Sequence, residues 1–206
     1  MKTEARRILH LIRLDDPTGK LADDATLALA DAYFQDEQYQ DAADTYEDLR
    51  RNYPGSKHQF HAHMLELKAR LQAYHGPSYD DEPLVRADRL MKTILRQFPE
   101  QSRQEKEYLA QEAATIRNQL ASRDVGMAQY YENRGENRAA QITYQQVADK
   151  YQDTKMNIDL ESQIADLQNK PPVPKQHGKW LVDLFPNPDE QRPLIASGDN
   201  ERKIFR

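Results

Sequence analysis

Along most of the chain, apolar residues recur at three- and four-residue intervals rather than in alternation, which predicts helices and no sheet. Proline punctuates them: Pro17, Pro54 and Pro99 each follow a helical pattern by a few residues, where helices stop. The run from Gly76 to Pro83 reads as a loop. Ser102 to Arg134 holds no proline and a single glycine, Gly126, and predicts one helix of roughly 50 Å, with Gly135 making the turn after it. A last helix is expected from Lys155 to Asn169, with Ile158, Ile164 and Leu167 on its apolar face. Pro171, Pro172, Pro174, Pro186, Pro188 and Pro193 then crowd a short stretch that no helix can cross. The chain therefore divides into a helical part, 1–169, and an extended Pro-rich tail, 171–206.

The helical part repeats. A small residue is followed twelve positions later by Ala, then by a large residue at +4, an aliphatic at +3 and an aromatic at +4. One copy is Ala30, Ala42, Tyr46, Leu49 and Tyr53; another is Ala128, Ala140, Tyr144, Val147 and Tyr151. A third keeps the later part as Ala87, Met91, Ile94 and Phe98, and Ala5, Leu9 and Ile12 are in phase with the same part. This is the pattern of tetratricopeptide (TPR) repeats. Alanines sit where paired antiparallel helices cross closely, and units must stack because neither helix buries its stripe alone. The expected fold is all-α, with antiparallel helix pairs stacked as a TPR superhelix. Its divisions are a half repeat at 1–17, repeats at about 22–54, 57–99 and 102–154, and a capping helix at 155–169. The spacing departs from the usual period of about 34 residues, since Pro17 to Pro54 spans 37 positions and Pro54 to Pro99 spans 45.

Composition narrows the chemistry. Among 206 residues there is no cysteine, so neither a disulfide nor a thiolate site is possible. No apolar run of about 18 residues suggests a membrane span. A net charge of −5 argues against nucleic acid as partner. The charge is uneven: eleven acidic side chains against Lys20 alone fall in residues 15–48, a block suited either to steering a basic partner or to lying as a solvated face. His58, His61 and His63 cluster, but no third ligand of a zinc-binding helix follows, so no metal site is expected. No phosphate loop, nucleophile elbow or paired carboxylate in an apolar setting is present, and neither an enzyme nor a cofactor is expected. The binding surface of such an array is the concave face lined by the first helix of each unit. The candidate partner-binding residues there are Asp24, Leu27, Asp31 and Phe34 in the first repeat, and Val125, Gln129 and Glu132 in the last. The tail adds Trp180 and Phe185, within its only apolar island.

The departures from an ideal array carry a resemblance. Tyr130, Tyr131, Arg134 and Gly135 form a Tyr-Tyr-x-x-Arg-Gly turn after a long helix; the next helix ends in Tyr151, Asp153 and Thr154, with Gln152 in place of a proline. With the Gly76–Pro83 loop and Phe98-Pro99, this resembles the BamD/YfiO family of TPR lipoproteins of the bacterial β-barrel assembly machinery, over about residues 20–168. The resemblance implies a non-catalytic scaffold at the periplasmic face of the outer membrane. Its partners would be barrel-assembly subunits or unfolded substrate peptides, and it would meet the membrane only indirectly or through a lipid anchor. The family begins with a signal peptide and a lipid-bearing cysteine and usually has about five repeats. This chain opens inside the second helix of a repeat, so an upstream part carrying the first helix and the export signal is expected. The alternative is a soluble TPR adaptor unrelated to barrel assembly.

Overall fold

A computed structural model of the chain describes residues 2–152 and 157–172. Among these it has nine α-helices and no strand. They are α1 (Lys2–Asp15), α2 (Ala22–Gln35), α3 (Tyr39–Asn52), α4 (Gln59–Ala73), α5 (Glu82–Gln97), α6 (Pro99–Gln104), α7 (Lys106–Asn133), α8 (Asn137–Lys150) and α9 (Asn157–Gln168). Each long helix packs on the next in sequence, so contacts stay local and the core is strung along the array. This is the layered all-α architecture of TPR-like proteins.

The repeating positions form the interior. Ala30, Ala42, Tyr46 and Leu49 are fully buried together between α2 and α3. Ala128, Ala140, Tyr144, Val147 and Tyr151 do the same between α7 and α8 and are joined by Leu160, Ile164 and Leu167 of α9. Ala87, Met91 and Ile94 close over Leu67, Leu109 and Ile116 in the middle. The alanines let the helices approach, and the tyrosine and the aliphatic one turn later fill the groove beyond them.

The backbone repeats as well. Tyr53, Phe98 and Tyr151 terminate α3, α5 and α8 with φ of −124°, −125° and −122°. Each donates its N–H to the carbonyl four residues back, at 2.9 Å. Tyr151 adopts this conformation although Gln152 stands where the other two copies have proline, so the stop does not require the proline. The α2–α3 and α7–α8 turns also match. In one, Glu37 N–H bonds Phe34 O and Gln38 N–H bonds Tyr33 O; in the other, Gly135 N–H bonds Glu132 O and Glu136 N–H bonds Tyr131 O. Both are Schellman closures needing a left-handed residue, supplied by Gly135 (φ 74°) and by Glu37 (φ 59°).

The single helix expected from Ser102 is bent. α6 begins at Pro99, whose missing N–H costs nothing in a first turn. Glu105 (φ −99°, ψ 20°) interrupts the run before α7. The hydrogen-bond ladder passes through the bend, Glu105 N–H to Gln101 O and Leu109 N–H to Glu105 O. Buried Ser102 holds α6 against the end of α5, while Leu109 turns α7 into the central core. In α1, Leu9 and Ile12 are half-buried, Ala5 is exposed, and Ile8, Leu11 and Leu14 stand largely open. Polar contacts fasten that helix, with Arg6 on Asp36, Arg13 on Asp48 and His10 on the Tyr33 hydroxyl. After α9 the chain returns to the start of α8, where Asn137 Nδ2 and the Arg138 N–H donate to the carbonyls of Pro171 and Pro172 and satisfy an otherwise open helix end. Most of the tail, with Trp180 and Phe185, lies outside the described residues.

Candidate functional site

The four candidate residues on α2 are each partly buried and lean on neighbouring elements. Asp24 accepts a hydrogen bond from His58 Nε2 at 2.6 Å and lies 3.4 Å from Lys57 Nζ, both from the start of α4. These bonds hold its carboxyl below the ordinary aspartate range. Leu27 is half-buried against the first core cluster. Asp31 accepts the Tyr46 hydroxyl at 2.6 Å, which together with burial pushes that phenol well above its usual range. Phe34 meets Tyr39 edge-on and carries Lys68 Nζ 5.5 Å above its ring. On α7, Val125 packs on the last core cluster and Gln129 is exposed. Glu132 accepts the Tyr144 hydroxyl at 3.1 Å and pairs with Lys170 at 3.1 Å. Burial and Glu132 raise the Tyr144 phenol to about 12. Each of the two repeats thus ties a carboxylate of its first helix to the core tyrosine of its second.

Part of the acidic block is engaged inside the fold. Asp36 and Asp48 hold α1, Glu47 reaches α4 and α5, and Asp23 takes the Ser56 hydroxyl. Asp15, Asp16, Glu37, Asp41 and Asp44 of the same block are exposed. The histidines separate too. His61 is exposed, His63 is buried, and His58 comes together with Asp23 and Asp24, the three offering ligand atoms within 4.8 Å of one another. Their bonds to one another, to Ser56 and to Lys57 already satisfy these groups.

Sequence reasoning missed a buried polar spine on α4. His63, Glu66 and Arg70 share the stripe of Ala62, Ala69 and Ala73 and are almost fully enclosed. His63 Nδ1–H donates to the Gln59 carbonyl at 2.6 Å, leaving Nε2 to accept from Arg50 Nη1 at 3.2 Å. Glu66 receives Arg50 Nε and Arg70 Nε, the latter at 2.7 Å. Arg70 Nη2 continues to Glu47 at 2.6 Å, and Arg86 of α5 meets the same carboxylate oxygen at 3.3 Å. Burial first, and then the facing Arg50, depress the His63 imidazole to about 4. Burial pushes Glu66 upward, against the pull of Arg50 and Arg70. The stripe carries Glu66 and Arg70 at i, i+4, a spacing that solvated helix faces also show, so the sequence alone does not mark them as buried.

A family model described as YfiO, outer membrane lipoprotein, matches residues 2–169. The chain belongs to the YfiO family. The match spans α1 through α9, so the family covers the whole described array, including the Tyr130–Gly135 turn and the spine. In this YfiO-family chain Tyr130 lies exposed at that turn, accepting a hydrogen bond from Arg134 Nη1 at 2.7 Å, with Arg134 bridging on to Glu136. No curated protein matches the chain. Among the described residues no helix is long and apolar enough to cross a membrane.

Proposed function

We propose that this YfiO-family protein is a non-catalytic scaffold in outer-membrane β-barrel protein assembly, binding partner subunits or unfolded substrate on the periplasmic side. The family match over the entire array carries this reading. The repeat geometry supports it, since a stacked array offers an extended recognition surface. In this reading α1 is the second half of a leading unit, the pairs α2–α3, α4–α5 and α7–α8 are repeats, and α9 is the cap. Recognition falls to the accessible edges of Asp24, Leu27, Asp31 and Phe34 on α2 and of Val125, Gln129 and Glu132 on α7. Their mixture of polar and apolar groups suits a peptide or a partner domain. Trp180 and Phe185 would add a short apolar docking motif.

Affinity capture of the tagged chain from cells tests the reading. Barrel-assembly subunits should be recovered, and recovery should fall when Asp24 and Asp31 are reversed in charge. Capture of cytoplasmic chaperones alone would replace this reading with that of a general TPR adaptor.

A further inference from the structure

The polar spine floors a trench. Two cavities of about 630 and 640 Å³ lie end to end over the flank of α4, between α3 and α5, and share Glu47 and Arg50. The trench is built from α3, α4 and α5, not from the α2 and α7 residues invoked above, and its occupancy does not depend on which assembly the chain serves.

Donors and acceptors in the upper cavity do not balance. Every carboxylate lining it is already met: Glu66 by Arg50 and Arg70, Glu47 by Arg70 and Arg86, Glu82 by Arg86, and Asp81 by Arg123 at 3.1 Å. The arginines are not all met. Arg70 is 1% exposed, yet its Nη1 is buried without a hydrogen-bond partner, with an Asp44 carboxylate oxygen 3.8 Å away. Arg89, one turn along α5 from Arg86, is exposed at the trench, and its guanidinium has no hydrogen bond or ion pair among the described residues. A buried guanidinium with an open N–H is costly, and a guanidinium fork pairs best with a carboxylate. Beside these donors, Val85 and Leu90 line the upper cavity and Phe98 the lower, giving apolar wall for the rest of an extended chain.

We infer that this trench binds an extended acidic peptide of a partner protein, an Asp or Glu carboxylate docking on Arg89 beside the buried, unpartnered Nη1 of Arg70. A trench running through two cavities exceeds what a lone small anion fills, which favours a peptide.

The test titrates the full isotopically labelled chain with an end-capped hexaglutamate peptide, following the arginine Nε–H resonances by NMR. Saturable shifts are expected at Arg70, Arg86 and Arg89, with none from end-capped hexaglutamine. Arg89→Glu, which removes an exposed and unpaired side chain, should weaken binding at least about tenfold. Arg138→Glu, the same charge change at an exposed position on α8, should leave it unaltered. The net charge of −5 works against unspecific attraction of a polyanion. Absence of saturable shifts, equal binding of hexaglutamine, a loss below tenfold in Arg89→Glu, or an equal loss in Arg138→Glu would each overturn the assignment.

Discussion

At the scale of single residues, two kinds of position hold this protein together, and only one of them was legible in the sequence. The alanines and tyrosines of the repeat could be read because spacing alone fixes where helices cross. Ala140 is fully buried at such a crossing. Ala140→Leu should destabilise the fold by about 1–3 kcal/mol through overpacking, measured as a shift in the urea midpoint, although leucine is nearly as good a helix former as alanine. His63, Glu66 and Arg70 were not legible, because nothing in one-dimensional spacing says that charges on a stripe will meet Arg50 from the preceding helix. His63 gives them a pH signature. Its folded value near 4 lies below the ordinary 6.5, so the unfolded chain binds the extra proton first. The stabilisation is complete above pH 6.5 and is lost as pH falls toward 4. Between pH 7 and pH 4.5 the native chain should lose about 2 kcal/mol more than His63→Gln, which can still accept from Arg50 and donate to the Gln59 carbonyl. Equal losses in the two proteins would remove His63 from the account.

At the scale of elements, the sequence told most about where helices stop and least about how they bend. Tyr53, Phe98 and Tyr151 were visible as repeat positions, and they terminate three helices in one backbone conformation. The bend at Glu105 left no such mark, because the residues around it are ordinary helix formers and the geometry comes from where Ser102 and Leu109 are anchored. The two Schellman turns give a paired prediction. Gly135 was legible as a turn residue, but Glu37 was not, since its left-handed conformation is imposed by the closure around it. Glu37→Gly should stabilise the protein by up to about 1 kcal/mol, and Gly135→Ala should destabilise it by about 1 kcal/mol. Thermal unfolding of the two variants checks both signs; a destabilised Glu37→Gly would mean that its side chain contributes more than its backbone strain costs.

At the scale of the whole molecule, the array is a chain of local contacts in which each helix pair needs its neighbour. Its fold class could be read from the pattern because TPR geometry is set by small residues at fixed spacing. The distribution of charge could not, because part of the acidic block closes on arginines and polar groups of α1, α4 and α5 while Asp15, Asp16, Glu37, Asp41 and Asp44 stay exposed. Two sets of residues are proposed to meet partners: those on α2 and α7, and those of the arginine-bearing trench between α3 and α5. The central claim is that the first of these recognises barrel-assembly partners or substrate. Gln129 is exposed on α7, beside Val125 and Glu132. A photo-crosslinking side chain placed there in living cells measures the claim directly. The account predicts adducts with a barrel-assembly subunit or an unfolded outer-membrane β-barrel protein, absent when the same group is placed at Lys106 at the start of α7. Adducts with neither, in cells that hold the protein at its normal level, would contradict it.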